Sequence, residues 1–87
     1  MKKHTKIYME HFDYGIDDFI PCEVCKTRAV DIHHIKPRGM GGSKLKDFIA
    51  NLVALCRACH ECAESSKAFN NNVKLIHEAN VKYRKIH

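Results

Sequence analysis

The stretch that decides the fold is Asp31-Ile32-His33-His34-Ile35, answered further along by Asn51-Leu52-Val53-Ala54-Leu55-Cys56-Arg57-Ala58-Cys59-His60. Val30 and Ile32 alternate with Asp31 and His33, the period of a short strand. Leu52–Leu55 reads as a second strand, too short for a helix of its own. From Arg57 to about Phe69 the composition turns to Ala, Glu and Lys and predicts a helix. Between the strands, Pro37-Arg-Gly-Met-Gly-Gly-Ser43 is a loop by its breakers. Leu45 to Ala50 has room for one helical turn, with Phe48 and Ile49 pointing inward. The order strand, loop, strand, helix, with a further closing helix, is an α+β pattern.

Outside this centre the signals are sparser. Asn70-Asn71-Asn72 is expected to end the first helix and cap the next, since Asn is a good N-cap. Val73, Ile76, Asn80, Tyr83 and Ile86, with Ala79, follow helical spacing and predict an amphipathic closing helix. Glu78 and Lys82 make a favourable i,i+4 pair on its outside. Residues 1–15 show no clear period. Either Tyr8, Phe12 and Tyr14 pack back onto the domain, or the segment is a loose arm. The expected organisation is one domain over 1–87, with a motif core at about 20–65, an arm at 1–15 and a closing helix at 70–87.

A chain of 87 residues buries little apolar surface and commonly needs a staple. Five cysteines can supply one. The basic start Met1-Lys2-Lys3-His4-Thr5-Lys6 is followed by no apolar run of the secretory kind, and no stretch approaches a membrane span. The expectation is a cytoplasmic chain with reduced thiols, where Cys-x-x-Cys pairs bind zinc more often than they form disulfides. The net charge of +5 and pI of about 9.0 suit a polyanion such as nucleic acid. They suit ordinary solubility equally well, and there is no Arg/Lys tract.

Cys22-Glu-Val-Cys25 and Cys56-Arg-Ala-Cys59 are paired knuckles. Four thiolates at ~2.3 Å around one ion make a closed structural zinc site. Cys59 and Cys62 form an overlapping pair. The Cys56/Cys59 register is preferred because it places one ligand at the strand end and one at the helix start, leaving Cys62 as a small buried apolar residue.

The imidazoles suit different chemistry. Phosphodiester hydrolysis needs a proton acceptor for water and positive charge on the phosphate. A histidine near neutral pH provides the first and a divalent cation the second. His33 and His34 are neighbours on a strand and point to opposite sides, so one can bind metal while the other acts as base. His60 at the helix start is the better candidate for a second metal ligand, with Glu64 on the same helical face a weaker third. His4, His11, His77 and His87 are expected to be ordinary surface or hydrogen-bonded residues.

Asp31-Ile-His-His-Ile35, Pro37-Arg-Gly-Met-Gly-Gly42, Asn51-Leu-Val-Ala-Leu-Cys56 and Cys59-His60 resemble, in order and spacing, the HNH endonuclease family, whose fold is the small ββα-metal (His-Me finger) domain. The resemblance covers roughly residues 20–65. It implies that His34 is the general base and that His33 and His60 hold a catalytic divalent metal. Asn51 would fix the loop bearing His34, and Asp31 would support the site, paired with Arg28. Many relatives carry Asp where this chain has His33, which shifts metal preference from Mg²⁺ toward Mn²⁺, Ni²⁺ or Zn²⁺. Lys36, Arg38 and Lys44, on the loop beside the base, either contact phosphates or keep the loop soluble.

The implied function is a metal-dependent endonuclease cutting DNA, double-stranded by expectation, to 5′-phosphate and 3′-hydroxyl ends. It would carry a structural Zn²⁺ and a catalytic Mg²⁺, Mn²⁺, Ni²⁺ or Zn²⁺. One centre per chain means that a monomer nicks and a homodimer cuts both strands. Two alternatives share the same residues. One is a zinc-dependent nucleic-acid-binding module that cleaves nothing. The other is a nuclease subunit active only within a larger phage or recombination assembly.

Overall fold

The computed structural model describes residues 2–36 and 48–84. Arg38, Lys44, the whole glycine loop 37–43, residues 45–47 of the expected helical turn, Ile86 and His87 lie outside the described residues. Two strands form the centre. β1 (Asp31–His34) pairs antiparallel with β2 (Leu52–Leu55), setting Asp31 opposite Leu55 and His34 opposite Leu52. A 3₁₀ turn, Ile49–Asn51, leads into β2.

All four residues of β2 are buried. Successive side chains of a strand point to opposite faces, and here each face has its own core. Val53 and Leu55 join Cys22, Ile35, Cys59, Ala63 and Val73. Leu52 and Ala54 join Tyr8 and Phe12. The first cluster is covered by α2 (Arg57–Ser65) and the second by α1 (Lys3–His11). α3 (Lys67–Arg84) serves both, with Val73 in one and Val81 packed against the other.

The packing of the N-terminal segment, which the sequence left open, is therefore that of a docked helix over Lys3–His11 with Phe12 packed behind it. Tyr8 and Phe12 are one turn apart and both buried. α1 ends without glycine. Asp13 takes the left-handed conformation (φ 58°) while its amide donates to the Glu10 carbonyl and that of Tyr14 to the Met9 carbonyl. Both bonds satisfy carbonyls that the helix end leaves open.

Three helix expectations need correction. The helix that starts at Arg57 stops at Ser65, short of Phe69, because Ser66 is extended. Its Oγ accepts from the Phe69 amide at 3.2 Å and so caps α3. Asn70-Asn71-Asn72 then runs through the helix rather than breaking it. The buried face of α3 is also rotated from the stripe read in the sequence. Val73 and His77 are buried, whereas Ala79 is exposed and Tyr83 is 68% exposed. Phe48, expected to point inward, is half exposed.

His77 explains the rotation. It is completely buried, which selects the hydrogen-bonded over the surface alternative expected of it. Its Nε2 donates to the Ile49 carbonyl at 2.6 Å, and its Nδ1 lies 2.8 and 2.9 Å from the two Glu23 oxygens. Tyr8 Oη donates to the same carboxylate at 2.6 Å and Asn80 Nδ2 at 2.9 Å. Burial, and then the Glu23 charge, push the Tyr8 hydroxyl far above its ordinary pKa, so it stays a donor. Removing one partner of a buried pair strands the other. His77→Ala is expected to cost on the order of 3–5 kcal/mol, read as a lowered urea midpoint, and a midpoint within error of wild type would contradict this.

Candidate active site and metal centre

The first knuckle is shaped by its backbone. Lys26 adopts φ 71°, its amide donates to the Cys22 carbonyl at 2.9 Å, and the Cys22 amide donates to Thr27 O at 2.6 Å. This tight turn aims Cys22 and Cys25 at the start of α2. There Cys56 is the N-cap, its sulfur accepting from the Cys59 amide at 3.5 Å. The four sulfurs of Cys22, Cys25, Cys56 and Cys59 lie within 4.8 Å of one another, with Cys25 Sγ and Cys56 Sγ at 3.5 Å. A tetrahedron with Zn–S of ~2.3 Å has S–S edges of about 3.8 Å, so the cluster is already near the size a zinc ion requires.

The thiols differ electrostatically. Hydrogen bonding to Thr27 lowers Cys25 to about 6. The Cys59 amide lowers Cys56, and burial pushes Cys59 up. A cation among them would favour all four thiolates. Cys62 is exposed, so the expectation of a buried apolar residue there is corrected, and the converging register is Cys56/Cys59.

The imidazoles lie beyond this cluster. His33 faces the α2–α3 side, its ring 5.0 Å from that of His60. His34 faces the α1 side, where its ring meets that of His4 edge-on with centroids 4.8 Å apart. Because His34 ends the strand, both rings open onto one cleft of about 1250 Å³, which Lys2, Lys36 and Lys67 also line. His4, expected to be an ordinary surface or hydrogen-bonded residue, belongs to this cleft wall.

Each ring is held by polar neighbours. His33 Nε2 is 2.9 Å from Asn70 Oδ1. Burial lowers the pKa of His33, so the ring is neutral near pH 7. His60 Nδ1 is 3.1 Å from Asp31 Oδ2, and its Nε2 is 2.9 Å from Glu64 Oε1. Asp31 thus braces His60 rather than Arg28, whose guanidinium lies over the Phe19 ring at 5.4 Å.

Asn51 is buried. Its Oδ1 accepts from the Lys36 amide at 2.7 Å and its Nδ2 donates to Lys36 O at 3.0 Å, while its own carbonyl accepts from the Ile35 amide at 3.0 Å. These three bonds clamp the backbone directly after His34.

Among the described residues, only the four thiols converge as a group of three or more metal-type donors. His33, His60 and Glu64 are less closely gathered. Their donor set nevertheless fits an open site, in which water and substrate complete the coordination. His60 presents both nitrogens to carboxylates, and a cation beside Nε2 and Glu64 would satisfy what is otherwise a proton's position.

The contacts made by Asn70, His77 and Glu23 are not assigned by the sequence pattern. The one available signal was a run of three poor helix formers inside an otherwise helical stretch, which points to side chains with work elsewhere.

No helix of the described residues is long and apolar enough to cross a membrane. No curated protein and no solved structure matches the chain. The family described as HNH endonuclease matches residues 22–66, more than half of the sequence, from the first knuckle to the end of α2. That family is generally one of nucleases acting on nucleic acids. The two paired strands, the helix behind them and the four-thiol cluster agree with its ββα-metal fold, and the chain belongs to the HNH endonuclease family.

Proposed function

We propose that this protein is a metal-dependent endonuclease that hydrolyses DNA phosphodiester bonds, with His34 as general base. The observation that carries the reading is the opposed pair on β1. One imidazole is braced among polar side chains, and the other opens onto a cleft with its following backbone clamped by Asn51.

In this mechanism His34 accepts a proton from water. The water oxygen attacks phosphorus in line, the bond from phosphorus to the 3′ oxygen breaks, that oxygen takes a proton from solvent water, and the released strand ends are 5′-phosphate and 3′-hydroxyl. His33 and His60, with Glu64 beside His60, are the residues that would hold a divalent ion. When bound, that ion supplies charge neutralisation at the phosphate and the departing oxygen. Lys36, and Lys2 and Lys67 across the cleft, favour a polyanion there. With one such centre per chain, a monomer makes a single-strand nick.

The test is conversion of supercoiled plasmid by zinc-loaded protein with Mg²⁺, Mn²⁺ or Ni²⁺ added in turn. Nicked circles are expected with at least one ion and none after chelation. Cleavage that persists in excess chelator, or that no ion supports, would overturn the reading.

A further inference from the structure

Asn70 lies on α3, outside the residues that match the family, yet it touches the strand that carries the paired histidines. Its Nδ2 donates to the Ile35 carbonyl at 2.9 Å, and its Oδ1 lies 2.9 Å from His33 Nε2. These two contacts determine each other. A backbone carbonyl only accepts, so the amide nitrogen must face Ile35 and the amide oxygen must face His33. An amide oxygen also only accepts, so the proton must sit on His33 Nε2. In a neutral ring the lone pair is then on Nδ1.

We propose that Asn70 is a positioning residue that sets the tautomer of His33, so that this ring offers Nδ1, and not Nε2, to a divalent cation. Metal-binding histidines usually donate their second nitrogen to an oxygen that fixes the ring. Asp31 stands in that relation to Nδ1 of His60. For His33 the partner is a side-chain amide delivered by a separate helix. Because Asn70 also holds the Ile35 carbonyl, it locks the ring and the backbone two residues on with one planar group. Metal affinity at the cleft is thereby tied to the seating of α3.

The role toward metal rests on the nuclease reading, whereas the tautomer assignment does not. The experiment is therefore in two parts. Long-range proton–nitrogen correlation spectra of the ¹⁵N-labelled, zinc-loaded protein at mildly alkaline pH report which nitrogen of each neutral imidazole carries hydrogen. Wild type is expected to show His33 with hydrogen on Nε2. Asn70→Asp keeps an acceptor and is expected to keep that tautomer, whereas Asn70→Ala is expected to shift it toward a mixture. Calorimetric titration with Mn²⁺, a hard ion that leaves the thiol site undisturbed, should then show affinity about 10–100-fold weaker in Asn70→Ala.

Hydrogen on Nδ1 of His33 in wild type would overturn the inference without any variant. So would an unchanged tautomer and Mn²⁺ affinity in a folded Asn70→Ala. Failure of wild type to cleave plasmid with any ion would instead overturn the nuclease reading and leave the tautomer result standing.

Discussion

Cys22→Ser is expected to abolish zinc retention and to unfold the chain. Cys22 is fully buried, part of the apolar core and with its sulfur within 4.8 Å of the other three. Structural zinc contributes ~10–16 kcal/mol of apparent folding free energy in small zinc-binding peptides. A whole domain is commonly stable by only ~5–15 kcal/mol. Losing one ligand therefore removes a contribution comparable to all the stability available. Metal analysis of wild type should give about one tightly held zinc per chain, and circular dichroism should show a cooperative melt that a strong chelator eliminates. The variant should show neither. Cys62→Ser, at an exposed position outside the cluster, should keep both the zinc and the melt. A folded Cys22→Ser protein with a full complement of zinc would refute the assignment.

His34→Ala should have the opposite signature, with the fold intact and the chemistry lost. His34 is only partly buried at the end of β1, and its replacement leaves the thiol cluster and both cores untouched. Loss of a positioned general base slows hydrolysis by ~10²–10⁴-fold. Plasmid nicking by the variant should fall by that factor at saturating metal, with zinc content and melting temperature unchanged. A small loss of rate, or a loss accompanied by unfolding, would remove His34 from the role of base.

Much of the central fold was legible because its signals are local. β2 runs over Leu52–Leu55, as the apolar run predicts, and Cys56 sits at the strand–helix junction where a capping and metal-binding residue belongs. The alternation of His33 and His34 follows from strand geometry alone, and the structure sends their rings to opposite faces. The flanks were harder for physical reasons. α1 lacks the glycine that usually marks a helix end, because Asp13 takes the left-handed position. Asn70 reads as a helix break because intrinsic preference is the only local guide, and the burial of His77 is equally invisible to it. Their conformations are decided by partners 28 to 54 residues away, which no local pattern reveals.

The carboxylate of Glu23 bears on how this protein can be cut and reused. It is a negative charge enclosed beside apolar side chains, and its donors come from the two helices outside the family's boundaries. A fragment trimmed to residues 22–66 would keep every thiol and every candidate catalytic side chain, yet it would strip that charge of Tyr8, His77 and Asn80. It would also lay bare the Leu52–Ala54 face of the sheet. The smallest transplantable unit of this protein, for a fusion or a chimera, therefore runs from the start of α1 into α3. The motif is a part of the machine, and the flanking helices are its chassis.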